Sequence, residues 1–251
     1  MATWIVGDIH GCYDDFMKLL SRPEIGKHDR VILIGDIIDR GPDSYKMISW
    51  AMKHISKTGR YQMICGNHED NIIQDYIRCQ NRLNVINSCH PDKPLSLDDL
   101  SISFLNCDYD FASYMSKAGF LTVGSVKSIV EWFESLPVFK KVRVKNKDGK
   151  ISSFVIAHAW YEPSFSREEM VWYRDVDDWS YSFSDDYKGK KNEILIHGHT
   201  PTPFYWQTQN KDCNDVFFRH ASINIDCGCV FKRAGGKLAA IRLEDLKVIY
   251  V

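Results

Sequence analysis

Short, mostly apolar runs recur along this chain, and each gives way within a residue or two to a side chain able to hold a cation. The runs are Trp4 to Val6, Val31 to Ile34, Tyr61 to Cys65, Phe154 to Ala157 and Ile194 to Ile196. They are followed by Gly7-Asp8, Gly35-Asp36, Gly66-Asn67, His158 and His197-Gly198-His199. Bounded runs of this length read as buried strands. Between the first three, apolar positions change to helical spacing. Tyr13, Phe16, Met17 and Leu20 predict a helix over 13–20, a second is expected from about Ser44 to His54, and a third from Glu69 to Cys79. That is βαβ alternation, and right-handed crossovers make the first three strands parallel neighbours with their carboxyl ends on one edge. Ligands of α/β folds gather at such edges, so five strand ends are expected to converge on one site.

Beyond Gln80 the pattern turns helical and loop-like as far as about Ser135, with breaks at Pro91 and Pro94 and a helix start at Asp98-Asp99. This predicts a helical insertion, about 80–135, within a single domain over 1–251. Val138 to Val144, a turn at Asn146 to Gly149, and Ile151 to Ala157 predict a hairpin. Residues 161–192 are polar, acidic and aromatic and are expected to form a long surface loop. Further strands are expected at Ser222 to Ile225, Leu238 to Leu243 and Val248 to Val251, with Gly235-Gly236 as a hairpin turn.

Composition narrows the function classes. The 251 residues, 44% hydrophobic, suffice for one domain with a sizeable core. A formal net charge of −1 supplies no global attraction to nucleic acid or to an anionic membrane, so neither is an expected partner. The eight cysteines show no framework spacing, no basic and apolar leader precedes the first strand, and no apolar stretch approaches the ~20 residues that cross a bilayer. A reduced, cytoplasmic protein is the expectation. Cys227 and Cys229 flank one glycine, which reads as a buried strand end and turn in preference to a thiolate metal pair, there being no second pair.

The chemistry follows from the residues at the strand ends. Asp8 and His10, two apart on extended chain, share a face. Asp36 has two oxygens with which to bridge two cations, and Asn67, His158 and His199 are neutral donors suited to a borderline divalent ion. Asp8, His10 and the bridge make one set; the bridge, Asn67, His158 and His199 make the other. Two metals ~3.5–4 Å apart clamp an in-line displacement at phosphorus. His68 is placed to protonate a leaving oxygen, Asp39 to orient its imidazole, and Arg40 and Arg174 to hold phosphate oxygens.

Gly7-Asp8-Ile9-His10-Gly11, Gly35-Asp36-Ile37-Ile38-Asp39-Arg40-Gly41 and Gly66-Asn67-His68-Glu69 resemble the signature motifs of the phosphoprotein phosphatase family of binuclear metallophosphoesterases. His158-Ala159 and Gly198-His199-Thr200-Pro201 resemble its two remaining histidine motifs in their bacterial and phage form, and Asn224-Ile225-Asp226 with Gly228 and Val230-Phe231 resembles the closing strands of the bacterial branch. The resemblance implies an α/β fold of two mixed β-sheets packed as a sandwich flanked by helices. It implies two divalent ions, Mn2+ first with Fe or Zn as alternatives, on Asp8, His10, Asp36, Asn67, His158 and His199. It makes His68 the general acid, paired with Asp39, and Arg40, Arg174 and Asn67 the phosphate contacts. A hydroxide bridging the metals is then the in-line nucleophile. The departures are Ala159-Trp160, where eukaryotic members carry glycines, and the absence of their long carboxy-terminal grooves.

Three functions are weighed. A phosphomonoesterase for phosphoserine or phosphothreonine in proteins is expected first, and a hydrolase of diadenosine tetraphosphate or related nucleotides second, for which Trp160, Tyr161, Trp172, Tyr173, Trp179 and Tyr181 are candidate stacking residues. The third is an inactive metal-binding scaffold, disfavoured because no ligand and no acid is missing. The oligomeric state is left open.

Overall fold

The computed structural model describes residues 1–94, 123–174, 187–190 and 192–251. Strand β1 (Thr3–Val6) is buried at every position, and its side chains alternate between two cores. Trp4 and Val6 face helices, whereas Ile5 faces a second sheet. Helix α1 (Tyr13–Leu20) follows, then β2 (Arg30–Leu33), α2 (Ser44–His54), β3 (Tyr61–Met63) and the long α3 (Asn67–Cys89). After the undescribed stretch come α4 (Val123–Glu134), the hairpin β4 (Phe139–Lys145) and β5 (Ile151–Ala157), α5 (Arg167–Trp172), β6 (Glu193–His197), α6 (Thr202–Gln207), β7 (Phe217–Phe218), β8 (Ser222–Asn224), β9 (Ala239–Arg242) and β10 (Val248–Tyr250).

The strands form two five-stranded mixed sheets, ordered β10-β9-β1-β2-β3 and β4-β5-β6-β8-β7. As the βαβ pattern requires, β1, β2 and β3 run parallel, with Ile5 opposite Ile32 and Leu33 opposite Met63. β9 closes the other flank antiparallel to β1. In the second sheet β5, β6 and β8 are parallel while β4 and β7 pair antiparallel at the edges. The sandwich core lies between the sheets, where Ile5, Ile32 and Ile34 meet Phe154, Ile156 and Ile196. On the outer face of the first sheet Phe16, Met47, Ile72 and Phe133 from α1 to α4 cover Trp4 and Leu33. On the outer face of the second, Trp160, Tyr161 and Met170 cover Val155 and Leu195. Each fully buried large apolar side chain contributes ~1.5–3 kcal/mol relative to exposure, so the three layers hold the strand ends in fixed relation.

Several sequence expectations change. The third helix starts at Asn67 and runs on to Cys89, past the predicted end at Cys79. The expected loop over 161–192 contains α5, closed by a capping box in which Ser166 Oγ accepts from Glu169 N and Glu169 Oε2 accepts from Ser166 N. Gly235-Gly236 is not a hairpin turn: β8 and β9 lie in different sheets, and Gly235 ends a short 3-10 turn (Lys232–Ala234) with φ +78°. The hairpin is instead β9–β10, turned through Leu246 at φ +56°. The core of the expected insertion, 95–122, and the acidic positions Asp175, Asp177, Asp178, Asp185 and Asp186 lie outside the described residues, as do Trp179 and Tyr181. No helix among the described residues is long and apolar enough to cross a membrane.

Candidate metal centre

The first three parallel strands deliver Asp8, Asp36 and Asn67 to one edge, and β5 and β6 of the other sheet deliver His158 and His199 to the same place. The chain turns sharply to do this. His10, Asp36, Asp39, Arg40 and His199 all have φ between +46° and +69°. Left-handed backbone is unfavourable for residues with a Cβ, least so for Asp, Asn and His, and such strain gathers at functional sites. Two glycines allow the close approach. A Cβ on Gly66 would stand 2.3 Å from Asp36 Oδ1, and one on Gly198 2.2 Å from Asp8 Oδ1.

Asp36 is the hub. Its Oδ2 lies 3.6 Å from His10 Nε2 and 3.9 Å from His68 Nε2, while its Oδ1 lies 3.4 Å from His158 Nε2. Oδ1 also accepts from His68 N, at the start of α3, where the helix dipole favours a carboxylate. Burial pushes the Asp36 carboxyl up, but His158, His68 and His10 together outweigh it and hold the group well below the usual range. Two triplets of donors within 4.8 Å of one another share this residue: His10, Asp36 and His68, and Asp36, His158 and His199. Asn67 Oδ1 joins the second, 2.8 Å from both His158 Nε2 and His199 Nδ1.

Ring orientation is set from behind. His10 Nδ1 donates to Ile38 O and His158 Nδ1 to Ile34 O, each at 2.9 Å, which turns both Nε2 atoms inward. Backbone carbonyls in this position fix the tautomer a ligating imidazole needs. Glu69, fully buried, holds the strand ends together: Oε2 accepts from Asp36 N and Gly66 N, and Oε1 from Ile37 N, at 2.8–2.9 Å. Burial, with Asp36 close by, pushes its carboxyl up to about 7.

Asp8 stands slightly apart from the two triplets. Its Oδ2 accepts from His199 N at 3.1 Å, and its Oδ1 is buried with no hydrogen-bond partner. Burial, and then the neighbouring Asp226, raise its carboxyl well above the usual range. Asp226 Oδ2 is likewise buried without a partner, and burial pushes that carboxyl up to about 6. Sequence reasoning assigned no role to Asp226 or to the Glu69 clamp; each shows only as a member of a motif until the backbone places it.

This donor set fits cations. Buried carboxylates are stable only when paired or ligating, and here Asp8, Asp36, Glu69 and Asp226 are all buried within one site. Without cations, burial disfavours a charged His158 but Asp36 and Asp8 overcome it and push the group up to about 10, so a proton there offsets the carboxylates and leaves when the imidazole ligates. His10 and His199, by contrast, are driven down to about 3 by burial and stand as neutral imidazoles, the form that binds metal.

Beside the donors opens a cleft of about 440 Å³, lined among others by Arg40, His68, Trp172, Arg174, Phe204 and Phe231. His68 Nδ1 pairs with Asp39 Oδ2 at 2.6 Å, and Asp39 N donates to Ser44 Oγ. Burial lowers the His68 pKa, but Asp36 and Asp39 reverse this and raise it above the ordinary value. Arg40 Nη1 lies 2.8 Å from His10 Nε2. Trp172 meets His199 edge-on with ring centroids 6.4 Å apart, and Trp172 and Phe231 remain 39% and 47% exposed on the cleft wall. Of the other candidate stacking residues, Trp160 and Tyr161 are buried in the outer layer of the second sheet and Tyr173 packs beside Trp160, which excludes the first two from contact with a ligand.

Known proteins resemble this arrangement. A symmetrical bis(5'-nucleosyl)-tetraphosphatase of Buchnera aphidicola subsp. Acyrthosiphon pisum (strain 5A) is 39% identical over 74 residues, 29% of this chain and 26% of that protein, so the match spans about a quarter of such relatives. An asymmetrical bis(5'-nucleosyl)-tetraphosphatase of Anoxybacillus flavithermus (strain DSM 21510 / WK1) is 22% identical over 98% of this chain and 92% of its own length. A crystal structure provisionally named a diadenosine tetraphosphatase shares the fold with a TM-score of 0.56 at 18% identity, covering 99% of this chain and 92% of the other. The model of the calcineurin-like phosphoesterase family matches residues 1–227, and with the binuclear donor set in place this chain belongs to that family of metal-dependent phosphoester hydrolases.

Proposed function

We propose that this protein hydrolyses a phosphoanhydride bond of a dinucleoside tetraphosphate or a closely related nucleotide. The observation that carries the reading is the cleft, where two arginines and His68 lie beside the donor cluster and exposed aromatic faces, Trp172 and Phe231, line the wall. A polyphosphate needs the arginines, and a nucleobase finds a stacking surface on the aromatics. The names of the relatives support the same substrate class. The sequence alone ranked phosphoserine and phosphothreonine in proteins ahead of nucleotides; these names favour the reverse order.

Asp8, His10, Asp36, Asn67, His158 and His199 are the residues to hold two divalent ions, Mn2+ in this proposal. When bound, the ions acidify water and neutralise charge on the phosphoryl oxygens. The protein's own groups do the rest. Arg40 and Arg174 bind the non-bridging oxygens, and Asn67 aligns the phosphate. His68, oriented through Nδ1 by Asp39 and with its protonated form favoured by Asp36 and Asp39, gives its Nε2 proton to the oxygen that departs as the bond to phosphorus breaks.

The test is a pair of initial rates for the manganese-loaded protein, on diadenosine tetraphosphate and on a phosphothreonine peptide, with Asp36→Asn as the blank. The expected result is a clearly higher kcat/KM on the dinucleotide. Faster peptide turnover would return the assignment to a protein phosphatase, and silence on both would leave a metal-binding scaffold. The relatives' names differ on the bond cleaved, so the products decide between two ADP and ATP plus AMP.

A further inference from the structure

Cys12 directly precedes α1, and Asp15, three residues on, lies in its first turn on the same side. Cys229 arrives from the far end of the chain, in the turn that follows Asp226. The two sulfurs and a carboxylate oxygen of Asp15 all lie within 4.8 Å of one another. Cys12 and Cys229 are 8% and 1% exposed. The sequence reads Cys227 and Cys229 as a buried strand end and turn in preference to a metal pair, and the structure brings Cys229 to Cys12 instead. The flanking backbone is fixed on both sides. Cys12 N donates to Ile9 O, Gly228 N donates to Asp226 Oδ1, and Phe231 N donates to Gly228 O, at 2.8–3.1 Å. Lys232 Nζ, 3.1 Å from Asp15 Oδ2, already spans the same two segments with positive charge.

We propose that Cys12, Cys229 and Asp15 form a further cation site, separate from the binuclear centre, that takes one thiophilic divalent ion of the zinc class with water completing the tetrahedron. Zinc binds thiolate at ~2.3 Å, carboxylate at ~2.0–2.2 Å, and prefers four ligands, so donors mutually within 4.8 Å can close on one ion. As the two sulfur–metal bonds form, both thiol protons pass to solvent and no electrons are transferred. The ion enters past Lys232, whose side chain is 43% exposed, and replaces its ion pair with Asp15. Two sulfur ligands set this site apart from the nitrogen and oxygen donors of the binuclear centre, which favour harder ions. Its effect is mechanical: it staples the loop that carries His10 to the turn that follows Asp226.

Cobalt reports on it without reference to activity. Co2+ is titrated into the manganese-loaded protein, kept reduced by a phosphine rather than a thiol. One equivalent is expected to produce a sulfur-to-cobalt charge-transfer band in the near ultraviolet, displaced by Zn2+. The band should be lost in Cys12→Ser and in Cys229→Ser and retained in Cys227→Ser. Absence of the band, or its survival in both variants, overturns the proposal. Should the serine variants not fold, 113Cd NMR of the unmodified protein decides: a resonance at the shift of two-sulfur coordination supports the site, and only nitrogen and oxygen coordination refutes it. A Cys12–Cys229 disulfide that persists in the presence of the phosphine and takes up no ion would also refute it.

Discussion

At the scale of single residues, His68 is held by opposed forces. Burial disfavours its charged form, whereas Asp36 and the 2.6 Å bond to Asp39 favour it, and the balance leaves a proton available above the ordinary histidine range. How much that proton matters depends on the leaving group. An alkoxide leaves badly unless protonated, while a nucleotide phosphate, whose second ionisation lies at about 6, leaves without help. His68→Ala is therefore expected to lower kcat by ~10²–10⁴ on an alkyl phosphomonoester and by clearly less on a dinucleoside tetraphosphate. Equal losses on both substrates in steady-state assays would mean that His68 positions the phosphate and does not act as the acid. The ligand candidates were legible because each is a chemically distinctive residue placed directly after an apolar run. Asp226 was not, because an Asp between Ile225 and Cys227 carries no mark of its role until β8 brings it beside Asp8. Glu69 hid for the same reason: two of its three backbone contacts reach more than thirty residues back in sequence, to Asp36 and Ile37.

Among the elements, legibility followed amphipathic length. Helices α1 and α2 fall at the predicted bounds because their buried residues, Phe16 and Leu19, then Met47, Ile48 and Ala51, recur at helical spacing against one sheet face. Helix α5 was missed because its six residues, Arg-Glu-Glu-Met-Val-Trp, bury only Met170 and Val171 and so give no periodicity. Its signal was the capping box from Ser166 to Glu169, a local cue and independent of the core. Helix α6 is just as short: two prolines at its start leave little helical pattern in the sequence, and Tyr205 packing on Phe217 holds the turn in place. α5 carries Trp172 to the cleft and is anchored to α3 by Arg167, 3.3 Å from the buried Asp70. Loss of the cap frays the first turn of such a short helix. Ser166→Ala is expected to raise KM for the dinucleotide several-fold while leaving turnover of a phosphomonoester without a base unchanged. Equal KM shifts on both substrates would show that α5 shapes the phosphate site and not the base site.

Across the whole molecule, the centre stands where two sheets end together, so its charge balance bears on the stability of the sandwich. Asp8 follows β1 of one sheet, His158 and His199 follow β5 and β6 of the other, and Gly198 packs directly against the Asp8 carboxylate. Cations that bind only the folded chain stabilise it by mass action, about 2.7 kcal/mol at a free concentration of 100 Kd. Chelation with EDTA should therefore lower Tm, and readdition of Mn2+ should restore it. A sharper test comes from Asp8, whose Oδ1 is buried without a hydrogen-bond partner and whose carboxyl is pushed up by burial and then by Asp226. With cations present, Asp8→Asn removes a charged ligand and should lower Tm. With cations stripped, the same change removes a buried negative charge that burial and Asp226 disfavour more than His158 and His199 N favour it, and such a charge costs free energy in a folded interior. The substitution should then raise Tm at pH 8. A change of sign between the two conditions, read by thermal unfolding of both proteins with and without EDTA, is what cation binding at Asp8 requires. The same sign in both would mean that Asp8 is a structural acceptor for His199 N and that the first ion depends on His10, Asp36 and His68 instead.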